Sequence, residues 1–189
     1  METVTGSSAE QIDPAAFGEP FRLHIGGDQA TDGWVIFDIT DRPEVDIVGN
    51  VVDLGAIPTD SVDEIYAAHV FEHLGYQNEL RRALAECRRV LKNGGKLKMS
   101  VPDIRVLGSL LNEPDLSDGE LVWLMRILYG GQSDQYDFHK TGFTWEILAG
   151  LAAESGFEHL GVVERFGLFD DCSEIRVRGR LVSLNVELW

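Results

Sequence analysis

The stretch "NVVDLGAIPTDSVDEIYAAHVFEHL" at residues 50–74, followed by "ALAECRRVLKNGGKLKMSVPDI" at 83–104, carries the strongest fold signal in the chain. "VDEIYAAHV" at 62–70 is apolar enough to be a strand that is covered on both faces, as the strands of parallel sheets are. Between 76 and 92 apolar residues recur at intervals of three, four and seven, which is helical spacing. The sequence therefore predicts a buried strand followed by an amphipathic helix.

Glycines would end this helix, and further strands flank it. Asn93-Gly94-Gly95 suits a helix C-terminus because glycine adopts the left-handed conformation without steric cost. "KLKMSVPDI" at 96–104 reads as the next strand, at a distance that allows a parallel crossover. Upstream, "FRLHIGG" at 21–27, "GWVIFDI" at 33–39 and "DIVGNVVDL" at 46–54 read as three more buried strands.

Capping signals predict two helices in the second half of the chain. Ser117 and Glu120 have the spacing of a capping box, and the helix that they would begin is apolar on nearly every side. We expect it to be buried or to cover a site as a lid. Thr144 would cap another helix, with Trp145 and Leu148 facing inward.

Two strands are predicted to close the chain, at 157–166 and 180–189, the second with alternating apolar residues. Residues 1–20 are rich in small and polar types and are expected to form a flexible N-terminal extension, so the folded domain would comprise 21–189. A chain of 189 residues suits one domain.

The composition restricts the partners and the compartment. A formal charge of -16 argues against nucleic acid and anionic membranes, which are bound through lysine and arginine. Cys87 and Cys172 are too few for a disulfide framework or a four-cysteine zinc site. The acidic start is not a signal peptide, and no run approaches the roughly 20 apolar residues of a membrane span. We expect a cytoplasmic protein.

The pentapeptide "HVFEH" at 69–73 has the H-x-x-E-H spacing of a zinc metallopeptidase. That chemistry needs both histidines on one face of a helix. Here the motif begins inside a predicted strand, in which neighbouring side chains point in opposite directions. Glu146 or Glu154 on a later helix could be nominated as a third ligand, but the peptidase remains a remote alternative. We expect no metal site.

Polar or flexible residues follow each predicted parallel strand, where ligands gather in open parallel sheets. They are Gly26, Gly27 and Asp28, then Asp38, Asp53, His69 to His73, and Pro102-Asp103. Each one alone also reads as an ordinary turn residue. Their order along the chain is the more informative feature.

This order resembles the Rossmann-like (class I) S-adenosylmethionine-dependent methyltransferase family, in its small members with a shortened first crossover. The resemblance runs from about Phe21 to Phe157 and is most specific at 50–74 and 83–104. It implies a mostly parallel, seven-stranded α/β sheet with helices on both faces. It also implies a C-terminal antiparallel strand, reduced first helices and S-adenosyl-L-methionine as the cofactor.

The resemblance also implies a role for each matching position. Gly26 and Gly27 would lie against the methionine part of the cofactor. Asp38, with Ile39 beside it, would accept hydrogen bonds from the ribose hydroxyls. Asp53, with Leu54 beside it, would meet the adenine amino group, and His69 would lie next to the cofactor.

Two features depart from the family pattern. Asp28 stands where the second glycine of G-x-G is usual, and its carboxylate would repel that of the cofactor unless it turned to the ammonium group or to solvent. Only six residues separate Gly27 from Trp34, too few for a helix between these strands. The family members that this chain resembles commonly lack that helix.

Three histidines are candidate catalytic residues, because histidine suits proton removal near neutral pH. They are His69, His73 and His139, and each also reads as a structural histidine. The expected partner is a small-molecule or glycan-type acceptor, with homo-oligomer formation left open. The competing hypothesis is a methyltransferase-like module that has lost catalysis and serves in binding or assembly, which Asp28 favours.

Overall fold

The computed structural model describes residues 4–5 and 11–189 of the chain. Its strands are β1 (Val4–Thr5), β2 (Arg22–Ile25), β3 (Val35–Asp38), β4 (Ile47–Val48), β5 (Val62–Ala68), β6 (Leu91–Pro102), β7 (Leu160–Val162), β8 (Arg176–Val177), β9 (Arg180–Leu181) and β10 (Ser183–Leu188). Eight of them form one sheet in the order β1-β4-β3-β2-β5-β6-β10-β7, while β8 and β9 form a hairpin.

The sheet is parallel from β1 to β6 and antiparallel at β10, which pairs with β6 and β7. The predicted α/β fold, mostly parallel with a C-terminal antiparallel strand, is confirmed. β1 makes the sheet one strand larger than the seven strands predicted.

The four α-helices within the described residues all follow β5. They are α1 (Glu79–Val90), α2 (Ile104–Leu111), α3 (Asp118–Tyr129) and α4 (Trp145–Glu154). Up to β5 the described residues contain only the short 3-10 turn Pro14–Phe17, so the predicted reduction of the first helices is confirmed. Within the described ranges, no helix has the length and apolar character needed to cross a membrane.

Alternation along the middle strands gives the sheet two different faces. Leu23, Ile65 and Leu97 are register neighbours on one face and belong to the apolar cluster that α1 and α4 cover. On the other face, Tyr66 is covered by a loop instead of a helix, with ring centroids 5.4 Å from Phe166 and 4.8 Å from Phe169.

Helix α1 buries its predicted apolar stripe but ends earlier than predicted. It stops at Val90, and Leu91 already pairs with Val62. Asn93-Gly94-Gly95 therefore lies in a bulge of β6, where the register shifts and Gly94 has a φ of 82°. Leu91 is buried in the sheet, and burying its side chain stabilises the fold by more than extending the helix to the glycines would.

Residues 46–54 form only the two-residue strand β4. The Asn50 side chain accepts a hydrogen bond from the Val52 N–H at 3.1 Å, and the Asp53 N–H donates to the Asn50 carbonyl at 2.8 Å. This turn ends the strand, since an asparagine side chain competes with sheet pairing for backbone donors. The predicted strand was therefore too long.

Helix α2 was not predicted. Asp103 caps it, because its carboxylate accepts hydrogen bonds from the N–H groups of Arg105 and Val106 at 2.8 and 3.3 Å. The sequence predicts a strand over 96–104, which includes residue 103. Aspartate is also a common N-cap residue, so Asp103 could equally have predicted the start of a helix.

The orientation of two predicted helices differs from the expectation. In α3 only Leu124 is fully buried, and Val122 and Tyr129 are 55% and 60% exposed, so the prediction of a buried helix was wrong. α3 instead packs through one narrow stripe against α2. In α4 Leu148 is buried as predicted, but Trp145 in its first turn is 40% exposed.

Part of the predicted extension, residues 1–20, lies outside the described residues, namely 1–3 and 6–10. Val4–Thr5 pairs with Ile47–Val48. Ile12 is buried, and its N–H donates to the Ala56 carbonyl at 2.9 Å. The domain boundary at residue 21 stays a prediction.

The capping box of α3 gives a stability prediction. Ser117 Oγ accepts the Glu120 N–H at 3.3 Å, and the Glu120 carboxylate accepts the Ser117 N–H at 2.8 Å. Ser117→Ala should lower the free energy of unfolding by about 1 kcal/mol. Urea titration measures the loss, and Val122→Ala on the exposed face should stay within about 0.5 kcal/mol of the wild type. Equal effects of both changes would contradict the capping role.

Candidate active site

A cleft of ≈ 330 Å³ opens at the carboxyl ends of β2, β3 and β5. Four of the predicted site residues line it, namely Gly26, Asp38, Ile39 and His69, together with the candidate base His73. This is the edge of a parallel sheet at which ligands bind. Predicted site residues that follow three different strands therefore line one cavity.

Gly26 gives the cleft a bare stretch of backbone. Its φ is +74°, and a Cβ at this position would lie 2.5 Å from Cγ2 of Val70. A side chain is excluded both by conformation and by space. Gly27, by contrast, is buried and does not line the cleft, and a Cβ there would meet Nδ1 of His24 at 2.6 Å.

Asp38 ends β3 with its carboxylate held in a fixed direction. Its Oδ1 accepts the Thr40 N–H at 2.7 Å, and its Oδ2 lies 3.3 Å from Nη2 of Arg42. Arg42 also donates to the Gly27 carbonyl at 2.7 Å, so it connects the loop after β2 to the end of β3. Carboxylate oxygens can accept more than one hydrogen bond, which leaves Asp38 able to bind hydroxyl groups.

Asp53 and Leu54 do not reach this cleft. Asp53 lines a separate depression beside Arg82 and Arg89, and Leu54 is fully buried. From the same loop, Asn50 and Val51 line the cleft instead. Asn50 was not predicted as a site residue, although it is the first polar residue after β4.

His69 lies at the border of a second hollow of ≈ 390 Å³, which shares Gly26 and His69 with the cleft. Its Nε2 is 2.9 Å from Oγ of Ser183, and its Nδ1 is 3.1 Å from a carboxylate oxygen of Glu72. The φ of His69 is 54°, an uncommon conformation for a residue with a side chain. The ring is therefore hydrogen-bonded through Nε2, and its Nδ1 faces a carboxylate.

The second hollow is acidic. Asp28 lines it, together with Asp170 and Asp171 from the loop that covers the other face of the sheet. Asp28 therefore does not face the cleft at Asp38. The contribution of this loop was not predicted, because no local pattern connects residues 169–172 to β2.

The pentapeptide "HVFEH" is not helical. β5 ends at Ala68, and a single 3-10 turn spans Phe71–His73. The two histidines thus do not share a helical face. The predicted strand over 62–70 was two residues too long, so His69 follows the strand and does not lie within it. The nominated third ligands, Glu146 and Glu154, instead pair with Arg105 and Arg81 at 2.9 Å.

His139 lies behind this turn and does not line the cleft. Its Nδ1 is 2.7 Å from the Ile127 carbonyl, and its side chain is 10% exposed. Burial lowers the pKa of His139, although the nearby Glu72 carboxylate acts in the opposite direction. Pro102 and Asp103 also lie away from the cleft lining, where Asp103 caps α2.

His24, at the border of the acidic hollow, gives a pH prediction. Burial lowers its pKa to about 4, against the opposing effect of Asp171 and Asp28. Between pH 6.5 and 4 the unfolded chain takes up this proton and the folded chain does not, so the free energy of unfolding should fall as the pH falls.

Urea titrations of the wild type and His24→Gln at several pH values check this expectation. The wild type should lose more stability than the variant across the window, since the variant retains all carboxylate contributions. Parallel curves would contradict it, as would an NMR titration of the His24 ring with a midpoint near its ordinary pKa.

A family model described as a methyltransferase domain matches residues 36–99. The match runs from within β3 to within β6 and includes Asp38, His69 and α1. A search of curated proteins finds no match.

Solved methyltransferase structures share the fold. One is an S-adenosylmethionine-dependent methyltransferase from Thermotoga maritima, titled a possible histamine N-methyltransferase, with 18% identity, a TM-score of 0.53 and coverage of 88% of this chain and 80% of that chain. Another, from Archaeoglobus fulgidus, has 14% identity, a TM-score of 0.52 and coverage of 88% and 83%. The CurJ carbon methyltransferase has 13% identity and a TM-score of 0.53, and the alignment covers 88% of this chain but only 47% of the CurJ chain.

These likenesses establish the fold, and the family match falls on the segments that carried the resemblance. The resemblance to the Rossmann-like (class I) S-adenosylmethionine-dependent methyltransferases is therefore confirmed. The chain spans about half the length of the CurJ structure.

Proposed function

We propose that this chain, which has the fold of the class I methyltransferases, transfers a methyl group from S-adenosylmethionine to a small-molecule or glycan-type acceptor. The observation that carries the proposal is the cleft in which the bare backbone of Gly26 and the carboxylate of Asp38 face the same cavity. Its volume of ≈ 330 Å³ lies within the range of small-molecule sites.

The cleft residues fit the parts of the cofactor. Gly26 allows the methionine portion to approach the backbone, since no side chain intervenes. Asp38 would accept hydrogen bonds from the ribose hydroxyls, and Ile39 and Val51 offer apolar contact to the adenine. Asn50 has the amide group that could recognise the adenine edge, a role first expected of Asp53. When bound, this cofactor supplies an electrophilic methyl group.

The acidic hollow beside His69 would take the acceptor. Asp28, Asp170 and Asp171 are acceptors for hydroxyl or ammonium hydrogens, and their charge disfavours anionic acceptors. Because the hollow and the cleft share Gly26 and His69, an acceptor in one can approach a cofactor in the other. Holding two reactants in line is the main contribution of an enzyme to such a displacement.

Among the three candidate histidines, His69 is the one that borders both cavities, and we assign it as the general base. A proton on Nδ1, which lies 3.1 Å from a Glu72 carboxylate oxygen, would leave the lone pair on Nε2. Nε2 lies 2.9 Å from Oγ of Ser183, whose hydroxyl donates to the Cys172 carbonyl at 3.2 Å, and an acceptor hydroxyl that donates to Nε2 could replace Ser183. His73 lines the cleft only, and His139 lines neither cavity.

Calorimetric titration with S-adenosylmethionine tests the cofactor part of the proposal. We expect saturable binding with one site per chain and micromolar affinity. The absence of heat at large cofactor excess would contradict it. Transfer of tritiated methyl groups into fractionated metabolite extracts would then identify the acceptor.

A binding or assembly module without catalysis is the second candidate function. The observation that favours it is Arg42, whose guanidinium already engages the Asp38 carboxylate at 3.3 Å and could occupy its hydrogen-bonding capacity. The same titration decides between the two functions, because the module predicts no cofactor binding.

A further inference from the structure

The pentapeptide "HVFEH" supplies two members of a cluster that the cofactor cleft does not explain. Glu72 and His73 meet His139, and one ligand atom of each residue lies within 4.8 Å of the other two. Backbone hydrogen bonds hold the segments together, since the N–H groups of Lys140 and Thr141 donate to the Glu72 carbonyl at 2.7 and 3.1 Å. The cluster is therefore built by the fold and not by one flexible loop.

Glu72 is the unusual member of this cluster. Its side chain is 0% exposed, and neither carboxylate oxygen has a hydrogen-bond partner among the described residues. The nearest cationic candidates are the rings of His69 and His139, 3.1 and 3.9 Å from Oε1. A buried carboxylate without a firm partner is costly, and a bound cation would offset that cost.

The two histidines are oriented as metal ligands are. Nδ1 of His139 lies 2.7 Å from the Ile127 carbonyl, to which it donates as an N–H in the neutral ring. The lone pair is then on Nε2, the atom that faces Glu72. His73 contacts the Phe138 carbonyl through Nδ1 at 3.3 Å. Metal-binding histidines almost always have such a backbone or carboxylate partner on the second nitrogen.

We propose that Glu72, His73 and His139 bind one divalent transition-metal ion of the zinc class beside the cleft. Two imidazoles and one carboxylate suit zinc and its neighbours better than magnesium or calcium, which prefer oxygen ligands. This set differs from the H-x-x-E-H pattern, because the glutamate is a ligand and His139 replaces His69.

The three ligand atoms lie within 4.8 Å of one another, so binding an ion would bring them closer by about 1.4 Å at most. Ligand atoms at about 2.0–2.2 Å from a tetrahedral zinc ion are separated by roughly 3.4 Å, and the His139–Glu72 pair stands at 3.9 Å. Three protein ligands leave one coordination position open, as in catalytic zinc sites. His73 lines the cleft, so that position would be near its wall.

Cobalt(II) absorption spectroscopy tests the proposal on the full chain after removal of metals with a chelator. Titration should give visible d–d bands of low-coordinate cobalt that saturate at one equivalent and disappear when zinc is added, while excess magnesium leaves them unchanged. Glu72→Gln and His139→Gln should weaken binding by about 100-fold or more. His159→Gln is the matched control, because His159 is exposed and stacks on Trp189 with centroids 5.4 Å apart.

Two results would overturn the proposal. One is a wild-type chain that gives no saturable band, a result that does not depend on any variant folding. The other is a set of variants that keep the wild-type far-UV circular dichroism spectrum and bind cobalt as tightly as the wild type. The titration contains no S-adenosylmethionine, so its failure would leave the proposed methyltransferase function standing.

Discussion

Asp38→Ala should lower the affinity for S-adenosylmethionine by about 100-fold or more, because hydrogen bonds to a charged group contribute about 1.5–3 kcal/mol each. The variant lacks the carboxylate that we propose accepts hydrogen bonds from the two ribose hydroxyls of the cofactor. Calorimetric titration of the variant and the wild type under the same conditions measures the change. Since Asp38 also holds Thr40 and Arg42, the fold of the variant is checked by urea titration.

Asp53→Ala is the matched control for Asp38→Ala. Both residues follow a predicted strand and both were expected to contact the nucleoside, but only Asp38 lines the cleft. The control should bind the cofactor as the wild type does. If Asp53→Ala abolished binding and Asp38→Ala did not, the assignment of the cleft as the cofactor site would be wrong.

The contrast between these two aspartates indicates what the sequence could predict. Asp38 follows a strongly apolar run, and a side chain at the end of a buried parallel strand must emerge at the ligand edge of the sheet. Asp53 lies three residues beyond the Asn50 turn, in a segment that is not a strand. The direction of the Asp53 side chain depends on that turn, and the spacing of apolar residues in the sequence does not predict such a turn.

Features that depend on long-range contacts were not predictable in the same way. Arg42 joins Gly27 to Asp38, and His139 reaches Glu72 through backbone pairing of segments 67 positions apart. The loop at 169–172 completes the acidic hollow from the far end of the chain. No local pattern specifies such neighbours, because they are set by the order of the strands in the sheet.

The same limit explains the errors in the helices. The cap at Ser117 is a local interaction and was predicted with its partner Glu120. The predicted burial of α3 was wrong, because an apolar helix is buried only as far as the neighbouring elements cover it. Here α2 and the β8–β9 hairpin cover one stripe, and Val122 stays exposed.

The largest expected effect on catalysis comes from His69. His69→Asn should reduce methyl transfer by about 10²–10⁴-fold, the usual contribution of a general base. Asparagine is the appropriate replacement because it tolerates the positive φ of 54° that position 69 adopts. The measurement is single-turnover transfer of tritiated methyl groups to the acceptor identified in the extract screen, with cofactor affinity measured separately by calorimetry.

The cofactor affinity of His69→Asn should change little, since the ribose and methionine contacts proposed for Asp38 and Gly26 remain. Ser183→Ala separates positioning from chemistry. It removes the hydroxyl that lies 2.9 Å from Nε2 but leaves the imidazole beside the Glu72 carboxylate, so transfer should fall far less than in His69→Asn. A His69→Asn enzyme that transfers methyl groups at the wild-type rate would exclude His69 as the base. The base would then be another group, such as His73 in the cleft lining, or the acceptor would be a nucleophile that needs no proton removed, such as a neutral amine.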